Sequence, residues 1–375
     1  MAAQNRPGAT ATRLAHIDGL RGVAILSVML FHAYARWPDL MPFSSRYAVP
    51  PLTTGWVGVQ LFFIISGFVI FMTLERSQTL AMFALQRFRR LFPAMLVATT
   101  VIVVSAPLLP ERPQGTIGLF DPLAGLMFVD PKWWSLFGVD LKPVEGAFWS
   151  LFVEVQFYAV AGIAYVTLGR RGALAALIVV FALAQLATSG LLPSDSLAQR
   201  ALFALTDRMG AIHYGWFIAG AALYLHARSA NTTMLVLGLS SLVVSVVLAT
   251  VPGSWIAGKL ALASIAALFV AALFAPALQS FLAHPFWQFL GFVSYPLYLV
   301  HENMLVALTV KVGRASPWLP TAVMPFAGMI VVVVLAWLIA RYGEPFVKRL
   351  IPAPARGTTA SERPNTAGAS DAIPA

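Results

Sequence analysis

Long apolar runs separated by short polar ones repeat down the whole chain, and run length is a stronger signal than periodicity. Ten runs cover residues 16–36, 55–74, 89–109, 147–168, 173–192, 209–227, 233–251, 257–275, 287–309 and 319–341. Each is long enough to cross about 30 Å of hydrocarbon at about 1.5 Å per helical residue. The pattern predicts an all-α integral membrane protein, a bundle of about ten transmembrane helices. Gly and Pro inside several runs fit that reading, because neighbouring helices re-satisfy the freed backbone groups. The first run is too long for a cleavable signal and no small-residue cleavage site follows it, so it is expected to stay as the first span. Gly169-Arg170-Arg171-Gly172 reads as a tight helical hairpin. The longest polar interruption, residues 106–146, reads either as a lid or acceptor-docking segment or as a loop lying on the interface. The resulting division is an N-terminal segment over 1–15, a membrane domain over 16–345 and a tail over 346–375, rich in Pro, Ala, Ser and Thr and expected to be disordered.

Composition agrees. The chain is 59% hydrophobic and 11% charged, where globular domains carry about 25% charged residues. There is no cysteine, which excludes a thiolate nucleophile, disulfides and zinc–thiolate sites. A net charge of +10 suggests nucleic acid only until its placement is considered. Arg13, Arg87, Arg89, Arg90, Arg170 and Arg171 fall on the side of the N-terminus, whereas Glu111, Asp121, Asp130, Asp140 and Glu145 offset the cations opposite. The excess is a topology signal that puts both termini in the cytoplasm. No internal repeat stands out to suggest a carrier built from inverted halves.

Ionisable groups inside such runs are costly, at least about 2.5–3.5 kcal/mol each at mid-bilayer, so their positions carry the functional argument. The first run has Asp18 and Arg21 at one end and His32 near the other. Eleven residues separate Arg21 from His32, which puts them on one helix face about 16 Å apart. The plainer alternative is that Arg21 snorkels and His32 caps the far interface. Arg87 and Arg90, at i,i+3 by the mouth of the third run, suit phosphate groups or, more simply, anionic lipid. Ser150, Glu154 and Tyr158 recur at i,i+4 in the fourth run, where the alternative is a structural partner for a cation. Ser294, Tyr298 and His301 fall on one side of the ninth run around Pro296, or else pack a kinked helix. Ser66-Gly67 in the second run reads as packing. Counting residues places His32, His301 and Glu154 in one layer of the outer half and the arginines at the inner mouth.

These segments resemble the acyltransferase-3 family of multi-pass membrane O-acyltransferases. His16 to His32 resembles its opening DGLRG…H, with Arg21 and His32 as an Arg-x10-His pair. Arg87 and Arg90 resemble its Arg-x-x-Arg, Trp149-Ser150-Leu151…Glu154…Phe157-Tyr158 its WSL-x-x-E-x-x-FY segment, and Gly291…Ser294-Tyr295-Pro296…Tyr298-Leu299…His301 its GxxSYPxYLxH. Val155 stands where members often carry a second acid. The extracytoplasmic hydrolase-like domain that some members carry after the last span is not expected here, so a relay to one would need a separate protein.

The resemblance implies a bacterial inner-membrane enzyme that moves an acyl group, acetyl or another short chain, from cytoplasmic acyl-CoA to a hydroxyl of an envelope carbohydrate, glycolipid or glycosylated metabolite. His32 would be the general base and Glu154 its orienting carboxylate. Arg87, Arg90 and Arg21 would hold the CoA phosphates, and His301 and Tyr298 would donate to the oxyanion, with Asp18, Ser150, Tyr158 and Ser294 as supporting polar groups. Acyl-CoA is a co-substrate, no cofactor is expected to be tightly bound, no metal is implied, nucleic acid is not a partner and a homo-oligomer stays open. The main rival is a proton-coupled transporter using the same His and Glu residues. An enzyme of the membrane-bound O-acyltransferase type and a lipid-binding scaffold are weaker rivals.

Overall fold

The computed structural model describes residues 8–41, 44–50, 52–193 and 196–352. Among these residues every regular element is helical. In chain order they are α1 (Gly8–Tyr34), α2 (Gly58–Arg76), α3 (Leu80–Ser105), the short α4 (Pro122–Leu126) and α5 (Pro131–Trp134), α6 (Phe148–Thr188), α7 (Leu197–Arg208), α8 (Tyr214–Ser229), α9 (Thr232–Leu248), α10 (Trp255–Phe274), α11 (Pro276–Leu282), α12 (Pro285–Ala315), α13 (Met324–Leu338) and α14 (Glu344–Arg349). Among the described residues six stretches are long and apolar enough to cross a membrane: Ala15–Tyr34, Gly55–Arg76, Leu80–Leu108, Phe148–Thr188, Trp255–Phe274 and Met324–Arg349. The other apolar runs also hold helices. However, α8 and α9 are 16 and 17 residues long, and α12, with 31, buries His301, Glu302 and Asn303 mid-helix.

Several boundaries differ from the sequence reading. The third helix begins at Leu80, not 89, because Thr79 caps it by accepting from Met82 N at 3.1 Å. Arg87 and Arg90 therefore lie within the helix, two to three turns from its start. The fourth and fifth runs, by contrast, agree with it: they are two helices that meet at Gly169, at φ 70 and ψ −178, a conformation open to glycine and strained for other residues, within the short connection expected at Gly169–Gly172. The N-terminal segment is helical from Gly8, and helix continues to Arg349, beyond the expected start of the tail at 346. Arg89 donates to the carbonyls of Ile351 and Pro352 there. Residues 1–7 and 353–375, with most of the expected disordered tail, lie outside the described residues.

Close backbone contact at glycines sets which helices are neighbours. A Cβ on Gly291 of α12 would lie 2.1 Å from the Asp18 carbonyl oxygen of α1, and one on Gly22 would lie 2.6 Å from that of Trp287. Only bare glycine permits this approach. Farther along, His32 and His301 meet, each ten residues beyond Gly22 and Gly291 respectively, so the two helices run parallel and in register. Gly67 and Gly220 bring α2 and α8 together in the same way, against Phe217 O and Ile64 O. Charged groups tie the ends. Glu75 of α2 accepts from Tyr224 of α8 at 2.6 Å and pairs with Arg170, at the α6 bend, at 3.4 Å. Lys259 donates to Val246, Val247 and Ala249 carbonyls, each at 2.7 Å, which satisfies the end of α9.

The 106–147 connection is pinned rather than loose. Asn303 of α12 donates Nδ2–H to Val144 O at 2.9 Å and accepts from Gln114 N at 3.1 Å. Arg112 also donates to Val144 O, at 2.6 Å. These bonds draw the segment onto the histidine end of α12.

Candidate active site

The α1–α12 register creates a compact polar cluster. His32 is 8% exposed and His301 fully buried, with ring centroids 4.7 Å apart and planes nearly perpendicular. Hydrogen-bond partners assign the protons. His32 Nδ1 lies 2.8 Å from Val28 O, and a carbonyl can only accept, so Nδ1 carries the hydrogen. His301 Nδ1 lies 3.0 Å from Tyr298 O and carries a hydrogen for the same reason. His301 Nε2, a lone pair in the neutral ring, stands 3.2 Å from His32 Nδ1 and shares that N–H. His32 is thus left with Nε2 as its basic nitrogen. That atom faces Glu302 Oε1 at 3.6 Å.

Glu302 is the carboxylate beside His32, and the sequence reading passed over it. Its Oε2 is buried without a partner. A second carboxyl, Glu145 from the pinned connection, is 1% exposed, accepts from Asn303 N at 3.0 Å and has an unpaired Oε1. Burial first, and the neighbouring Glu302 second, push Glu145 up to about 8, against the pull of the Asn303 N–H and Arg112. Glu145 therefore holds its proton near neutrality. Three consecutive polar residues, His301-Glu302-Asn303, at the centre of an apolar run were the available signal.

Closer to the other end, a cavity of about 100 Å³ is lined by Arg21, Arg87, Arg90, Ser66, Ser150, Glu154, Tyr158, Ser294, Tyr295 and Tyr298 among other residues. Most of the expected site residues border this one space. Arg21 pairs with Asp18 at 2.5 Å, Arg87 donates to Thr73 at 3.1 Å, and Arg90 lies 3.8 Å from Glu344 and over the Tyr295 ring. Each guanidinium has five N–H donors, so each keeps donors in reserve.

Glu154 does not partner His32. Its Oε1 accepts from Ser66 and from Tyr158, the latter at 2.5 Å. Depth alone put Glu154 in the histidine layer, but its carboxylate meets Ser66 of α2 in the arginine-lined cavity, away from the α1–α12 histidine pair. Ser66, expected only to pack, is thus a polar member of the site. Ser294 spends its hydroxyl on Gly291 O at 2.7 Å.

The expected oxyanion donors are also committed. Tyr298 OH donates to Ala147 O at 3.0 Å and receives Ser150 Oγ at 2.6 Å, while the N–H of His301 goes to Tyr298 O. In this conformation neither has a hydrogen to offer. Tyr298 instead closes the cavity, with its ring 5.4 Å from His301 and 5.9 Å from Phe62. Beyond it lies the histidine pair, turned into the bundle rather than toward lipid.

Comparison with known proteins identifies the family. The family model described as "Acyltransferase domain" matches residues 14–341. Peptidoglycan O-acetyltransferase OatA of Listeria monocytogenes is 31% identical over 158 residues, 38% of this chain and 23% of that protein. O-acetyltransferase OatA of Staphylococcus aureus is 30% identical over 155 residues, again 38% of this chain and 23% of the relative. The aligned stretch therefore spans about a quarter of the length of these relatives. No solved structure matches. Since the family model runs through every helix that contributes to the cavity and to the histidine pair, this chain belongs to the acyltransferase-3 family.

Proposed function

We propose that this protein is a membrane O-acetyltransferase of the bacterial inner membrane, with ten helices crossing the bilayer and both termini in the cytoplasm. The donor is acetyl-CoA or another short acyl-CoA arriving from the cytoplasmic, arginine-bearing end. Its phosphates meet Arg87, Arg90 and Arg21 at the mouth, and the cavity takes only the slender thioester end. The acceptor is a hydroxyl of an envelope carbohydrate or glycolipid.

His32 Nε2 removes the hydroxyl proton as the oxygen attacks the thioester carbonyl. The C–O bond forms, the C–S bond breaks, and His32 returns the proton to the departing CoA thiolate. A hydroxyl is a weak nucleophile until a base takes its proton, and a positioned imidazole supplies about 10²–10⁴-fold in such a step. Glu302 faces the Nε2–H of the imidazolium that forms, the role first expected of Glu154. Glu154, held by Ser66 and Tyr158, orients the cavity wall opposite Arg21.

One observation carries the reading: a cation-lined cavity ends at Tyr298, in ring contact with a buried His–His–Glu cluster. The test is purified protein with radiolabelled acetyl-CoA and a panel of saccharides, ester product being detected by mass. Ester that forms with wild-type protein and vanishes in a folded His32→Ala variant supports the proposal, and full activity in that variant removes the base assignment. The proton-coupled transporter reading predicts instead saccharide or ion flux in vesicles with no acyl-CoA present.

A further inference from the structure

The histidine cluster has a second chamber on its other side. A basin of about 440 Å³ opens at the histidine end of the bundle, between the segment following α1 and the α9–α10 connection. Phe31, Arg36, Trp37, Asp39, Thr53 and Ser254 line it. Phe31 places its ring edge-on to His32, with centroids 5.3 Å apart. The Trp37 indole N–H is buried with no partner at hydrogen-bond distance, and the carboxylate it approaches is that of Glu302. The Phe31 side chain therefore stands between the basin and His32, as Tyr298 stands between the arginine-lined cavity and His301.

The two chambers differ in chemistry. The cavity gathers three guanidiniums against Glu154 and suits a ligand rich in negative charge. The basin sets one cation, Arg36, against one anion, Asp39, and adds the hydroxyls of Thr53 and Ser254. Donors and acceptors stand there in balance. That mixture matches a neutral polyol, because every sugar hydroxyl both donates and accepts. The Arg36 guanidinium lies 4.8 Å over the Trp37 ring, which holds the partition side chain in place.

We propose that this basin is the acceptor site and that it receives an uncharged sugar unit, whose reacting hydroxyl reaches His32 Nε2 past Phe31 and Trp37. The proposal rests on the acyl-transfer reading for the reaction, but not for the binding. Donor and acceptor then approach the histidine pair from opposite ends and never share a chamber.

The absence of natural cysteine gives a direct test. Thr53→Cys, with Ala257→Cys as a second position in the basin, provides a single thiol for maleimide labelling in the full-length protein. Neutral tetrasaccharides (chitotetraose, maltotetraose and cellotetraose) are the probes. At least one is expected to slow labelling about tenfold, acetyl-CoA is not, and the labelled protein should lose about tenfold in transfer to saccharide while its acetyl-CoA affinity holds. Ile256→Cys, on the exposed side of α10 and outside the basin lining, should label at one rate throughout. Lack of protection by every saccharide at both positions, or protection by acetyl-CoA in place of saccharide, overturns the assignment. If wild-type protein forms no ester at all, the acyl-transfer reading fails, and saccharide protection still decides the basin.

Discussion

Arg87 borders open volume and gives only part of its guanidinium to Thr73, whereas His32 is packed on every side and faces a carboxylate with an unpaired oxygen. The same contrast holds for their neighbours. Arg21 and Arg90 each keep a counter-charge and a free edge toward the cavity, while His301, Glu302 and Glu145 are at most 3% exposed. Half-paired cations on open space suit a ligand that brings its own negative charge. Closed, under-satisfied groups suit a charge that appears only during a reaction, since unpaired polar atoms in a dry site interact strongly with it. On the proposed reading, one end of the polar path holds the donor and the other moves the proton.

Substitutions can break that comparison, beginning with the base. His32→Ala should lower kcat for ester formation by about 10²–10⁴-fold with little change in acetyl-CoA KM. An equal rise in KM would mean that the histidine end also holds donor. Glu302→Gln comes next. At 3.6 Å it lies beyond direct hydrogen bonding in the resting state, so the loss in kcat should be about 10²-fold, short of the ~10⁴ found for a directly bonded triad carboxylate. Glu154→Gln in the same assay should cost less, and the reverse order would restore the original assignment of Glu154.

At the holding end, Arg87→Ala and Arg90→Ala each remove a charge-assisted contact of about 1.5–3 kcal/mol. Acetyl-CoA KM should rise about 10- to 100-fold, with kcat nearly steady. Lysine should restore it only in part, because an ammonium lacks the planar fork. Steady-state kinetics over a range of acetyl-CoA concentrations separate the two constants.

The smallest effect concerns Glu145. Its folded-state pKa, about 8, lies above the ordinary 4.5, so between those values the folded protein binds more protons than the unfolded chain. Stability then falls as pH rises through that window. The thermal midpoint in detergent should drop from pH 5 to pH 8 and level off above it, and Glu145→Gln should flatten the curve. A slope that persists in the variant would place the titrating group elsewhere.

Much of this was legible from the chain alone. Apolar run length marked where helices lie, and the 1.5 Å rise put His32 and His301 at one level. The positions of Arg21, Arg87 and Arg90 near the ends of their runs likewise pointed to a shared space, and all three line one cavity. Azimuth was not legible. Glu154, expected at the depth of His32, instead borders the arginine-lined cavity, where Ser66 of α2 donates to it. Neighbour choice depends on backbone contacts at Gly22, Gly291, Gly67 and Gly220, and a one-dimensional hydropathy pattern does not encode which carbonyl a bare Cα will meet. Glu302 escaped notice for the same reason: its partner comes from a helix 270 positions earlier.

The Gly22–Gly291 contact has a mechanical corollary. Two rods riveted near one end swing like tongs, with the jaws some ten residues, or about 15 Å, from the pivot. A slight change in crossing angle at those glycines is felt most at the imidazoles and least at the arginines. Bulk added at the pivot, a single methyl at Gly291, would press on the Asp18 carbonyl and pry the jaws open, moving the Asp18–Arg21 pair least.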